Sequence, residues 1–200
     1  AARVVEALAS GRTPEVDMVV ATILPTVTDQ GIVDARTLVQ KLIAAPITVS
    51  FSGRDWALVG GAPSARPVEQ TWTIDRQQLD NAVVIEQRKS GDQVMLTARF
   101  DSNKFSALFT AIAKEMNRKA VDARFDYNIQ TGRLTPLAVS QEGRTVDVAE
   151  NVKRLAATAS SDQRAMQLAV TITKPALAVD QASTMGIREQ VSQGVTTFAG

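Results

Sequence analysis

The 200-residue chain contains no cysteine and no histidine. Without thiols it forms no disulfide, no thiolate metal site and no cysteine nucleophile. Without imidazole it lacks the usual general base, the Ser-His-Asp arrangement and His-ligated zinc. Covalent or acid–base chemistry would have to come from carboxylates, lysine or tyrosine, and no motif implies a cofactor. Aromatic residues are scarce at 4% of the chain, with two tryptophans and one tyrosine. Charge of one sign is never concentrated, since 22 basic against 21 acidic residues give a formal +1. That balance argues against a nucleic-acid partner held by a basic stripe and against a polybasic membrane anchor. No apolar run approaches the roughly 18–20 residues needed to span a bilayer. The carboxylate pairs Asp80/Glu86 and Glu15/Asp17 carry no spacing that implies acid–base work. Gly60-Gly61 lacks the Gly-Lys-Ser/Thr continuation of a phosphate loop.

What is present is a globular pattern, 44% apolar and 22% charged, long enough to bury a real core. The most informative stretch runs from Val121 to Val152. Ala123, Phe125, Tyr127 and Ile129 alternate with Arg124, Asp126 and Asn128, and Leu134 to Val139 returns after a turn at Gln130-Thr131-Gly132. Such period-2 alternation around a glycine turn predicts an antiparallel hairpin with one buried face. After Glu142-Gly143-Arg144 a helix is expected from Asp147 to Ala159. Asp147 serves as its N-cap, Glu150 stands at the capping-box position, and Val152, Leu155, Ala156 and Ala159 face inward.

Elsewhere the same logic predicts a helix over 1–10, a strand over Val16–Leu24, and a helix from Asp29 or Asp34 to Ala45. Ile47–Phe51 and Trp56–Val59 read as a hairpin turning at Ser52-Gly53-Arg54-Asp55, and 60–67 as an exposed loop. Asp75 and Gln78 fit a capping box, with Ile74 and Leu79 as its hydrophobic staple. A hairpin over Val83–Arg88 and Gln93–Phe100 precedes a helix from Ser102 to about Asn117 carrying Phe105, Leu108, Phe109, Ile112 and Met116. Strict alternation over 166–172 predicts one half-buried antiparallel strand ending near Pro175. The expected fold is therefore α+β, mainly antiparallel sheet with amphipathic helices packed on one face. Laying 1–30 over 151–180 aligns Ala7 with Ala157, Ser10 with Ser160, Met18 with Leu168, Val20 with Val170 and Pro25 with Pro175. This suggests an internal repeat of a helix–strand unit, although any helix followed by a strand aligns in this way.

The runs DARFDY, GRLTPLAVSQEGRTVDVAENV, TKPALAVDQASTMGI and REQVSQGVTTFAG resemble the YoaR-like peptidoglycan-binding domain that precedes the VanW domain in VanW-related proteins. The same module precedes the catalytic domain of some L,D-transpeptidases. The resemblance covers most of the chain, with its clearest motifs between 121 and 200. It implies a non-catalytic, extracellular or cell-surface module of the cell envelope, anchored through a segment outside this fragment. Its partners would be peptidoglycan, through stem peptide or glycan, and a following VanW domain. The expected organisation is a YoaR-like unit over 1–118, a second partial unit over 119–180 and a connector over 181–200, with one continuous domain as the alternative. The first residues read as the middle of a helix and no signal-peptide pattern is seen, so an excised fragment is expected.

Four residues are candidates for ligand contact. Trp56 offers a flat apolar ring of the kind that sugar surfaces use. Arg124 and Arg133 lie on the polar face of the central hairpin, where they could frame a groove for stem-peptide carboxylates or simply be solvated. Arg144 has no evident local duty beside Gly143 and Asp147, so it is the best candidate for an anion. Three functional classes stay open on the residues: a wall-contacting module, a spacer or protein-interaction domain without a glycan ligand, and, with least support, a carboxylate enzyme.

Overall fold

The computed structural model describes residues 29–90 and 93–187, together with the isolated positions 9, 189, 191, 194 and 197. The helix expected over 1–10, the strand over 16–24 and the first copy of the proposed repeat lie outside the described residues. Helix α1 (Asp29–Leu42) leads into the long strands β1 (Ile47–Val59) and β2 (Ala62–Ile74), then the short helix α2 (Arg76–Asn81). Strands β3 (Val83–Ser90) and β4 (Gln93–Phe100) follow, then a 3-10 turn (Ser102–Phe105) continuing into α3 (Ser106–Met116). The central hairpin is β5 (Arg124–Asn128) and β6 (Arg133–Ala138), followed by β7 (Gly143–Val146) and α4 (Val148–Ser160). Last come β8 (Ala165–Gln167), β9 (Val170–Thr173) and a second 3-10 turn (Val179–Thr184).

The architecture is α+β and mostly antiparallel, as the periodicities predict. β1 lies between antiparallel β2 and parallel β8, while β3–β4, β5–β6 and β7–β9 form two-stranded antiparallel ladders. One core runs through the assembly. Ile47, Val49 and Phe51 of β1 meet Ile74, Leu79, Phe109, Ile112 and Met116, and the same cluster takes in Val146, Leu155 and Met166. Residues on both sides of position 118 thus share one buried cluster.

Local chemistry explains several boundaries. Asp75 accepts from the Gln78 N–H at 2.8 Å while the Asp75 N–H donates to the Gln78 side chain at 2.9 Å, a complete capping box. Its flanking residues Ile74 and Leu79 are fully buried. Asp147 caps α4 by accepting from the Glu150 N–H at 2.9 Å, but the Glu150 carboxylate turns outward to Arg154. Asp147→Ala is expected to cost about 1 kcal/mol, read as a lower denaturant midpoint at unchanged slope. The C-terminal carbonyls of α1 are capped from far away. Arg164 donates to the Leu42 and Lys41 carbonyls, and Arg76 to those of Ile43 and Ala44.

Three local expectations fail for identifiable reasons. β1 does not turn at 52–55 but runs straight to Val59. The chain reverses at Gly60-Gly61, whose φ of 59° and 82° suit a two-residue hairpin loop. Gly53 serves close packing instead, since a Cβ there would stand 2.7 Å from the Phe51 ring. The expected loop 60–67 is accordingly mostly strand β2. Pro63 and Pro67 are tolerated because β2 is an edge strand among the described residues, with β1 as its sheet neighbour. In the central hairpin Phe125 and Tyr127 are half-buried, but Ile129 reaches the turn and is 74% exposed. The single antiparallel strand expected over 166–172 is split. β8 runs parallel to β1, the chain bends at Leu168-Ala169, and β9 pairs antiparallel with β7. The bend has a cause in Asn151, which is fully buried on α4. Its side-chain oxygen accepts from the Ala169 N–H at 2.7 Å and its amide donates to the Ala169 carbonyl at 3.0 Å, occupying groups a straight ladder would use.

Candidate functional site

The outer half of β1 projects Arg54, Asp55 and Trp56 towards the segment that connects α3 to β7. That segment is pinned by backbone bridges. The Arg118 N–H donates to the Arg144 carbonyl at 3.0 Å, the Arg144 N–H returns to Arg118 at 2.9 Å, and Val121 and Gln141 pair in the same way. Gly143 is needed here because a Cβ would lie 2.7 Å from the Ala120 backbone nitrogen. Close approach of these backbones brings the side chains of Arg118 and Arg144 onto Asp55.

Asp55 is held between two guanidiniums. Arg118 donates to both carboxylate oxygens, and Arg144 Nη2 donates to Oδ1 at 2.7 Å. Arg118 also donates to the Glu142 carbonyl at 2.8 Å, and Arg144 to the Arg54 carbonyl at 3.3 Å. The Arg118 hydrogen bond is the largest influence on Asp55 and holds its carboxyl below the ordinary 3.8. Desolvation opposes it, and the charges of Arg118 and Arg144 reinforce it. Arg144 is 6% exposed and stacks 4.9 Å above the Phe51 ring.

That placement corrects the expectation for Arg144. It does have a local duty, tying β7 to β1 through Asp55, and burial removes it from solvent. Trp56 is half-buried next to this cluster, with the Arg54 guanidinium 5.5 Å from its ring centre. Trp56 and Arg144, read separately in the sequence, therefore stand on either side of Asp55. Arg124 is exposed on β5 and belongs to neither cluster. Arg133 lies at a cleft of about 610 Å³ between the β5–β6 turn and residues 182–187. Among the described residues its lining carries no acidic side chain to pair with Arg133, and Ser183 is its other polar side chain.

A smaller cleft, about 180 Å³, opens beside Trp56. It is bounded by Arg54 and Trp56 of β1, Ser140 and Glu142 before β7, and Lys174 and Asp180 after β9. Sequence reasoning missed Arg54, Arg118 and Asp55, whose pairing spans 63 residues to Arg118 and 89 to Arg144. Among the described residues no group of three or more acidic side chains is placed to hold a metal ion. No helix among them is long and apolar enough to cross a membrane.

Residues 73–167 match the family model described as "Putative peptidoglycan binding domain". The match runs from the end of β2 through β8, so it includes Arg118, Arg124, Arg133 and Arg144 but stops short of Trp56. No curated protein matches the chain. Among solved structures, a chain titled "Structure of the Ldtfm-avibactam carbamoyl enzyme" aligns at TM-score 0.35 and 9% identity. The alignment covers 70% of this chain and 46% of that one, and a likeness this distant carries no argument.

Proposed function

We propose that this chain is a non-catalytic cell-wall module that binds peptidoglycan, or sets a neighbouring domain against it, through the face that carries Trp56 and the 118–144 segment. The family match over 73–167 is the observation that carries the reading, and it supports peptidoglycan as partner and the wall as location. The arrangement of residues agrees with it. Arg118 and Arg144 are engaged with Asp55, while the cations and anions beside Trp56 form no ion pair among the described residues. The narrower VanW-related membership, a VanW domain after residue 200 and an extracellular position with an anchor elsewhere belong to the same proposal. So does the absence of catalysis, which rests on a chain without cysteine or histidine and an Asp55 occupied by two arginines.

The test is retention of the purified chain on isolated sacculi. Retention well above that of a control protein of similar size and net charge is expected, with the muropeptide profile unchanged by mass spectrometry. Retention no greater than the control would remove the binding reading, and turnover of muropeptides would remove the non-catalytic one. A spacer or protein-interaction domain is the second reading. It is favoured by the exposed Ile129 and Leu137 on the β5–β6 hairpin, 74% and 63% accessible, and by the edge of β2 that has no strand neighbour among the described residues. It predicts no retention on sacculi.

A further inference from the structure

The cleft beside Trp56 carries a charge pattern that the proposed function does not by itself require. Arg54 and Lys174 bring two cations to it, and Glu142 and Asp180 bring two anions. Opposite charges around so small a space would ordinarily find each other, yet none of these four forms an ion pair among the described residues. The Arg54 guanidinium rests against the Trp56 ring, Glu142 is fixed through its carbonyl by Arg118, and Asp180 stands on the 3-10 turn that begins at Val179. Ser140 is 1% exposed, and its hydroxyl oxygen accepts from the Val179 N–H at 3.0 Å. The hydroxyl donates to no acceptor among the described residues, and Ser140 lines the cleft.

Size narrows the choice. At about 180 Å³ the cleft is smaller than the roughly 300–1,000 Å³ of sites that enclose a whole small molecule. It fits the end of a longer molecule, and the lining asks for an end that carries both charges. We infer that this cleft receives the zwitterionic head of a branched peptide, a carbon bearing an ammonium and a carboxylate together, as at the free end of a diamino acid in a wall stem peptide. The carboxylate lies towards Arg54 and Lys174 and accepts a hydrogen bond from the Ser140 hydroxyl. The ammonium lies towards Glu142 and Asp180, and the Trp56 ring covers the methylene arm. A lysine in the same place offers the ammonium alone and leaves the cations unanswered. The inference rests on the wall-binding reading for the source of the ligand, but its chemistry is tested apart from it.

Two synthetic probes make the test: L-alanyl-γ-D-glutamyl-meso-diaminopimelate and the same tripeptide ending in L-lysine, each titrated calorimetrically into the 200-residue chain. The diaminopimelate peptide is expected to bind about tenfold or more tightly than its lysine counterpart, since it adds a charge-assisted contact. Lys174→Met and Asp180→Asn are each expected to weaken it by about tenfold, whereas Lys153→Met on the exposed face of α4 leaves it unchanged. Both cleft residues are exposed, so the variants keep the fold, checked by circular dichroism. Equal affinity for the two peptides, indifference to both substitutions, or no binding of either peptide overturns the inference. Sacculi retention is scored separately. If it persists while the peptides fail, the wall reading stands and this cleft is not its site; if it is lost while the peptides discriminate, the cleft stands and the wall reading falls.

Discussion

Asp55→Ala should destabilise the chain by about 3 kcal/mol, because this part-buried carboxylate is the ionic partner of a buried arginine. Removing the carboxylate leaves Arg144 at 6% exposure with a carbonyl contact at 3.3 Å and the Phe51 ring as its remaining partners. Its Nε already meets no acceptor. Breaking a buried pair from one side strands the other charge, which costs more than the pair contributes. The value sits at the low end of the range because the Asp55 side chain is itself 30% exposed and part of its energy is screened by water. Urea unfolding at neutral pH gives the number. A loss below about 0.5 kcal/mol would mean that water reaches Arg144 and that the arrangement is a surface ion pair of ordinary weakness.

The same carboxylate fixes a pH dependence whose sign follows from its depressed folded value. The Arg118 hydrogen bond lowers the Asp55 pKa below the ordinary 3.8. The folded state therefore holds the proton less tightly than the unfolded chain, so this contribution is complete above the unfolded value and lost as pH falls through the folded one. The stability gap between the wild type and Asp55→Asn should be constant from neutral pH down to about pH 5 and then narrow through and below 3.8. A gap that stays constant into that acid range would show that geometry, not charge, holds the cluster together.

How much of this could be read in advance depends on the distance over which each feature is decided. The Asp75 and Asp147 caps, the Gly132 turn and the buried stripe of α3 are set by residues within a few positions of one another, and the pattern alone exposes them. For the β1 turn, Gly53 and Gly60-Gly61 are equal candidates locally. The choice is made by the Phe51 ring, which presses on Gly53 under Arg144, a residue of another element. The site suffered in the same way. Trp56 and Arg144 were visible as residue types, but nothing local says that Arg144 points inward to Asp55, or that Arg54, Glu142, Lys174 and Asp180 surround one cleft. Arg124 and Arg133 look the same in sequence as Arg144 and stand on a solvated hairpin face. One signal was available and unused: Asn151 falls on the inward stripe of α4 with Val152, Leu155 and Ala159, and a polar residue on such a stripe calls for a partner.

Asn151 is also where the second large effect is expected. Its side chain makes three hydrogen bonds at zero exposure, to the Asp147 carbonyl and to both backbone groups of Ala169. Leucine has a similar volume and would fill the space, so little is lost in packing. The Ala169 N–H, however, would be left buried beside a methyl group with nothing to receive it. The Ala169 carbonyl would keep only the Asp147 N–H at 3.0 Å. An orphaned buried donor costs about 1–3 kcal/mol beyond the bonds themselves, so Asn151→Leu should lose about 3 kcal/mol in urea unfolding. Asn151→Asp separates hydrogen bonding from volume. It can still accept from Ala169 but sets a carboxylate against two carbonyls, which disfavours ionisation. It should therefore be the weaker of the two variants at neutral pH and recover towards the leucine variant as the solution is acidified. Hydrogen exchange at Ala169 gives the local readout, with fast exchange in the leucine variant while Leu168, bonded to the Ser50 carbonyl at 2.8 Å, stays protected. Stability within about 0.5 kcal/mol of wild type, or an Ala169 amide still protected, would mean that β8 and β9 part for some reason other than this asparagine.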